Sequence, residues 1–267
     1  MKKALLFTKR NLKEMVRDPL IYIFCAGFPI AMVLLFQIIL HYAPDGKVAI
    51  FEVKSLIPGI MVFSYSLLML MSSLLISKDK STALLKRLYT SPMKGKDYII
   101  GYFIPFFIIG LVQSILCIIL GYIFGYTSNT GFIPFYKSII LIIAMIPIMS
   151  INIFVGLIFG AILNDKAAPG ISSIFISLSG IIGGCWMPLE TMGDFEKVCM
   201  IFPFYPSVYL GRCITNSPHV LLDELGNTTY YSFSDRGLIF FIVTFLYLIV
   251  IGLLTILFFN KRLKNDC

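Results

Sequence analysis

Residues 78–97 read K-D-K-S-T-A-L-L-K-R-L-Y-T-S-P-M-K-G-K-D. This is a polar island between two long apolar runs, with six Lys/Arg against two Asp for a net +4. On a helical wheel Leu84, Leu85, Leu88 and Tyr89 share one side, while Lys80, Lys86, Arg87 and Thr90 take the other. That pattern predicts an amphipathic helix of about three turns, stopped by Pro92. Two readings stand open on these residues: a basic loop lying on anionic lipid, or a docking helix for a partner protein.

The surrounding composition sets the class. Of 267 residues, 58% are hydrophobic and only 13% charged, and the mean hydropathy is +0.90. A soluble domain carries about 25% charged residues, so the chain reads as an all-α polytopic membrane protein. The net charge of +8 then reports topology first, and nucleic acid is a poor partner for it. No C-x-x-C occurs among the six cysteines. Cys25 and Cys117 fall in apolar runs, while Cys199 and Cys213 could share an aqueous face, which leaves a disulfide between them open. The early Lys9, Arg10, Lys13 and Arg17 exclude a cleavable signal core.

Six spans follow from the apolar runs: about 20–40, 55–77, 98–126, 137–163, 167–187 and 236–260. The chain is thus one transmembrane domain, 1–267. Residues 1–19 precede the spans as an in-plane amphipathic helix. Its apolar stripe is Ala4, Leu5, Thr8, Leu12, Met15 and Val16; its basic stripe includes Arg10 and Arg17, and Phe7 and Leu6 fall off the stripe. Asp18-Pro19 is a helix start, and Pro29 and Pro147 predict bends. Segment 188–235 lies outside the spans. Val198 to Phe204 is too short to cross and reads as a re-entrant or interfacial piece held by Phe202, Phe204, Tyr205 and Tyr209, with an exposed loop after it. Sixteen Lys/Arg lie in the set of aqueous segments holding both termini and the island, against six in the other set. Both termini and segment 78–97 are therefore expected in the cytoplasm.

No Asp, Glu, Lys or Arg sits mid-span, which weighs against ion-coupled transport and intramembrane proteolysis. No G-x-x-x-x-G-K-[ST] phosphate loop is present, so energy for uphill movement would come from another chain, and the chain itself is expected not to be an enzyme. Gln37, Gln113 and Asn152 are the uncharged polar residues that would either bond between helices or line a path, with interhelical bonding favoured. Ser173, Ser177, Gly180 and Gly184 form a small-residue stripe for close helix contact or for a second copy. Gly156-x-x-x-Gly160 and Gly121-x-x-x-Gly125 are weaker instances.

Three stretches, in this order, resemble the permease subunits of type-2 ABC transporters, six-span exporters of drugs, peptides, lipids and polysaccharides. R-N-L-K-E-M-V-R-D-P-L at 10–20, followed by Pro29, is similar to that family's elbow helix and first span. L-L-K-R-L-Y-T-S-P-M at 84–93 looks like its coupling-helix segment, and G-C-W-M-P-L-E-T-M at 184–192 resembles its Pro-Leu-x-x-Met-Pro turn. Gly193-Asp194 departs from the family's Pro, and Lys78-Asp79-Lys80-Ser81 replaces a common Glu and Gly. The resemblance implies an elbow helix bearing Leu5, Leu12, Met15, Val16 and Arg17. It also implies a coupling helix, Leu84, Leu85, Lys86, Arg87, Leu88 and Tyr89, that docks on a separate ATPase holding ATP and Mg. Further implied are a second permease copy and outward movement of a substrate across a cell membrane; the uncharged spans point to a hydrophobic or amphipathic one, and the excess of Lys over Arg with abundant Ile points to a bacterial genome. A secondary transporter or channel, or a membrane assembly or immunity factor, is the alternative.

Overall fold

A computed structural model of the chain describes residues 2–42, 49–82, 95–127, 133–222 and 228–265. The predicted coupling helix, Leu84–Tyr89, lies outside them. Nearly every described element is helical, because apolar runs in lipid must satisfy their backbone groups internally. In chain order these are α1 (Lys2–Arg17), α2 (Pro19–Tyr42), α3 (Val53–Ser81), α4 (Gly95–Thr127), α5 (Phe135–Ile162), α6 (Ala168–Ile182), α7 (Asp194–Cys199), α8 (Phe204–Thr215) and α9 (Leu238–Asn265). A short antiparallel hairpin, β1 (Pro218–Leu222) with β2 (Thr228–Tyr230), precedes α9.

Five of these, α2 to α5 and the helix from Phe233 through α9, are long and apolar enough to cross a membrane. The fifth expected span, 167–187, is shorter than predicted. Its helix α6 has 15 residues, or about 22 Å against a hydrocarbon core of ~30 Å. Gly184 ends it. With φ +58°, Gly184 donates to Ile181 O (3.1 Å) and Cys185 donates to Gly180 O (3.3 Å), a Schellman pair that only a left-handed residue closes.

Helix α3 is the axis of the bundle, with 89% of its most apolar stretch buried against 17% for the helix leading into α9. It packs on α4, α5, α6 and α8. The closest approach is to α5, where a Cβ on Gly160 would lie 2.7 Å from both Ser73 O and Ile76 Cβ, and one on Gly156 would strike Ser72 and Met69. The pair read as the weaker small-residue motif is thus a tight helix contact. Helix α3 also runs further than predicted. It takes in Lys78, Asp79, Lys80 and Ser81 from the polar island, and Lys80 Nζ donates to the last carbonyls of α5, Ala161 O, Ile162 O and Leu163 O, at 3.3–3.4 Å. A cation there also suits the negative end of the α5 dipole.

The prolines act through the carbonyls they release. Pro29 is preceded by a turn of π-helix, Tyr22–Gly27, an i→i+5 bulge of the kind that accompanies helix bends. Pro58 and Pro105 sit inside α3 and α4. Lacking an N–H, each leaves the carbonyl four residues back without its helical donor. Those carbonyls, Lys54 O and Gly101 O, are filled from other helices. Thr215 Oγ1 (2.8 Å) and Ser217 Oγ (2.7 Å) donate to Lys54 O, and Asn11 Nδ2 (3.0 Å) donates to Gly101 O.

Residues 204–217 are not the exposed loop expected from sequence. Helix α8 is almost wholly buried, wedged against α3, α5 and the start of α9. Phe204, Tyr205 and Tyr209 are anchors in it, whereas Phe202, Val198 and Ile201 remain on the surface. Cys199 and Cys213 are both free and buried, so the open disulfide is not formed.

Candidate functional site

The lysine-rich end of the bundle is built on α1. Its buried face is Ala4, Phe7, Thr8, Asn11 and Met15, at i, i+3, i+4, i+7 and i+11. That face is rotated from the predicted stripe. Met15 is buried, Leu12 is partly covered, and Leu5, Val16 and Arg17 lie exposed. The rotation has a cause on α4, where Gly101 offers both a gap and a free carbonyl. Phe7 fills the gap, packing edge-on to Tyr102 at 4.9 Å and to Tyr98 at 6.2 Å between ring centroids. Asn11 takes the carbonyl. Two polar-looking or off-stripe residues thus decide which side of α1 faces inward.

A buried ion cluster lies beside this contact. Asp79, near the end of α3, is 2% exposed. Arg10 reaches it with both terminal nitrogens, Nη1 to Oδ2 at 3.1 Å and Nη2 to Oδ1 at 3.2 Å. The Tyr102 hydroxyl donates to Oδ2 at 2.8 Å. Arg10 Nη1 also donates to Asn11 Oδ1 (2.9 Å), and Arg10 pairs with Glu14 at 2.7 Å. Fork-on-fork pairing is the strongest form such a contact takes. One carboxylate therefore ties the end of α3 to α1 and to the second turn of α4, close in sequence to residues 83–94. Nothing in the sequence paired Arg10 with Asp79, because both read as charges of a solvated face.

The opposite end holds a buried cation. Arg212, counted from sequence as a loop charge, is 1% exposed. Its Nη2 donates to Gly184 O (2.8 Å) and its Nε to Ser55 O (3.4 Å). Its Nη1 donates to the Tyr231 hydroxyl (3.5 Å), which in turn donates to Glu190 Oε1. His219 stacks on Tyr231 at 3.8 Å and lies 3.8 Å from the second Glu190 oxygen. Burial opposes ionisation of Glu190. The nearby His219 ring, the hydrogen bond from Tyr231 and the Arg212 charge outweigh it and hold the Glu190 pKa below the ordinary carboxylate value. Helices α3, α6 and α8, the 188–192 turn and the hairpin are pinned together here. A buried arginine needs such partners.

The four stripe residues divide. Gly180 and Gly184 are buried inside the chain; a Cβ on Gly180 would meet Trp186 and Phe63 at 2.7–3.0 Å. Ser173 and Ser177 are exposed, each bonded to its own helix backbone. They line an open groove of about 610 Å³ between α2, α3 and α6, with Phe24, Leu67 and Leu70. The inward side of α6 is instead Ser172 and Ser179, whose Oγ lies 2.7 Å from Ser66 Oγ on α3.

Gln37, Gln113 and Asn152 are all buried within the bundle. Gln37 Nε2 donates to Phe51 O (3.0 Å), Gln113 Nε2 to Ser64 O (3.3 Å), and Asn152 Nδ2 to Ile148 O of its own helix (2.9 Å). Each amide thus serves a backbone carbonyl.

Long apolar helices around a buried axis, with ion clusters at the two ends among the described residues, define a multi-pass helical membrane protein. Within that class, residues 3–214 match the family described as ABC-2 type transporter, and the chain belongs to it. It is the membrane permease of an ABC transporter, a transport component and not itself the ATPase. No curated protein and no solved structure matches the chain.

Proposed function

We propose that the chain is the permease subunit of an ABC exporter, driven by a separate ATPase that binds ATP and Mg. The observation that carries this reading is the Arg10–Asp79–Tyr102 cluster. It joins α1, α3 and α4 close in sequence to segment 83–94, so a force applied to that segment would be delivered to three helices at once. In this reading Leu84, Leu85, Leu88 and Tyr89 fill a groove on the ATPase, with Lys86 and Arg87 at its rim. Both termini and segment 78–97 face the cytoplasm of a bacterial cell. A second permease copy meets the groove of Ser173 and Ser177, and a hydrophobic or amphipathic substrate passes outward between the copies. The uncharged spans support such a substrate. Gln37, Gln113 and Asn152 then serve the helix bundle and not the path.

Affinity purification in mild detergent tests the partnership: an ATPase should co-purify, and its absence at full permease yield would refute the reading. Orientation is tested with single cysteines at Lys96 and Asp194 in a cysteine-free background. Impermeant thiol reagent on intact cells should label position 194 and not 96; the reverse would overturn the orientation and the docking surface with it.

A further inference from the structure

Helix α1 carries three cations that pair with no group among the described residues. Arg10 is committed to Asp79 and Glu14, and Lys78 lies 3.6 Å from Glu14. Lys9, Lys13 and Arg17, spaced at i, i+4 and i+8, make no hydrogen bond or ion pair among the described residues. They stand along an open cleft of about 900 Å³ between α1 and the end of α3. A recess of about 280 Å³ adjoins the cleft and shares Glu14, Asp18, Leu20 and Lys78 with it. Beyond those four, the recess is lined by the apolar Met15, Ile21, Met71, Leu74, Leu75 and Phe106, with Asp165 beside them. Its volume approaches the lower end of ordinary ligand pockets. Leu5, Leu6 and Val16, exposed on α1 at 55–69%, place the helix at the headgroup boundary of a bilayer.

We infer that this cleft is a binding site for one anionic phospholipid of the leaflet on which α1 lies. The phosphate sits on Lys9, Lys13 and Arg17, and an acyl chain enters the recess between α2, α3 and α4. Charge complementarity and continuity with the apolar recess single out an amphiphile over a free phosphate, which would leave the recess empty. They single out an anionic headgroup over a zwitterionic one, because the cleft holds Lys9, Arg10, Lys13, Arg17 and Lys78 against only Glu14 and Asp18 among the described residues, and Glu14 is already shared by Arg10 and Lys78. The lipid would then sit against the Arg10–Asp79 cluster and stiffen the joint between α1 and α3. The inference rests on the permease reading for its setting.

The test is lipid preference of the purified wild-type chain in mixed micelles, using labelled phosphatidylglycerol and labelled phosphatidylcholine. The wild type should hold phosphatidylglycerol in preference. Each unpaired cation is worth roughly a fivefold factor in affinity, so the triple change Lys9→Gln, Lys13→Gln, Arg17→Gln should cost roughly a hundredfold. Leu75→Trp fills the recess, leaves every charge in place, and should cost about tenfold; Leu75→Phe serves as a smaller filling change if the Trp variant fails to assemble. Wild-type preference in the triple variant would overturn the headgroup site. Loss in the triple variant with none in either filling variant would reduce the site to diffuse surface charge and overturn the inference. Equal holding of both lipids by the wild type would do the same. The measurement needs no sidedness and no ATPase, so failure of the labelling or co-purification experiments leaves it standing.

Discussion

Removing Arg10 should damage this protein more than neutralising the aspartate it holds. In Arg10→Ala the Asp79 carboxylate stays buried, at 2% exposure, and keeps only the Tyr102 hydroxyl at 2.8 Å. Stranding one member of a buried pair costs about 3–5 kcal/mol. Arg10 is itself 38% exposed, so solvent already screens part of the attraction, and about 2–3 kcal/mol is the expectation. In Asp79→Asn the shape is kept and Tyr102 can still donate. Arg10 keeps Glu14 at 2.7 Å and stays hydrated, so the cost should be about 1 kcal/mol. The double variant Arg10→Ala with Asp79→Asn removes the stranded charge. It should therefore be more stable than Arg10→Ala alone, with a coupling of about 1–2 kcal/mol. Equilibrium unfolding of the purified chain in mixed micelles with rising SDS gives all four corners of the cycle. Equal single-variant losses, or a double variant that is the plain sum of the two, would refute the view that Arg10 exists to neutralise Asp79.

Gly160→Leu should cost at least about 1–3 kcal/mol by forcing α5 off Ser73 and Ile76 of α3, read by the same unfolding titration, whereas Ser173→Leu should leave the single chain as stable as wild type. The folded-state pKa of Glu190 lies below its reference value of 4.5, so its contribution is complete above about pH 4.5 and is lost as pH falls through the lower folded value. Glu190→Gln should abolish that part of the acid loss, followed by unfolding midpoints between neutral and acid pH. Leu85→Asp should lose the co-purifying ATPase, since a carboxylate would enter an apolar groove unpartnered. Lys86→Gln at the rim should retain most of it, and wild-type ATPase recovery with Leu85→Asp would remove that helix as the docking element.

The periodicity and length of apolar runs were enough to place the long helices, because lipid leaves the backbone few alternatives. What the runs could not carry was long-range pairing. Arg212 sits in a stretch with the local polarity of a loop, and its partners Glu190 and Tyr231 are distant in sequence. Only the fold turns that charge inward. The rotation of α1 was hidden for a related reason. A wheel sorts residues by polarity, so Asn11 was not ranked as a core residue and Phe7 was set aside, yet the surface they meet on α4 is a glycine with a spare carbonyl. A usable signal was present in Pro58 and Pro105. A proline inside an apolar span predicts a free carbonyl four residues earlier, and that carbonyl must find a donor from another helix. Asking for the donors of Lys54 O and Gly101 O would have pointed toward polar residues on a neighbouring helix before any coordinates.

Those two carbonyls help tie the two ends of the bundle. Between them α3 is bonded to α4 through Gln113 and Tyr65, whereas its closest contacts with α5, at Gly156 and Gly160, are glycine on backbone and side chain, the kind of packing that lets helices slide in small steps. At the lysine-rich end α1 is fixed to α4 by Asn11 and to α3 by Arg10, and at the far end α8 is fixed to α3 by Thr215, Ser217 and Arg212. Helix α3 is the element both ends grip, and it is also the helix least exposed to lipid. A displacement of α3 along its own axis would have to carry α1 and α8 with it, while α6, held to it by the Ser66–Ser179 hydroxyl pair and side-chain packing, has fewer polar ties to break. The exposed serines of α6 face the groove it shares with α2 and α3, so motion of α6 against α3 would alter the width of that groove before it disturbed either ion cluster.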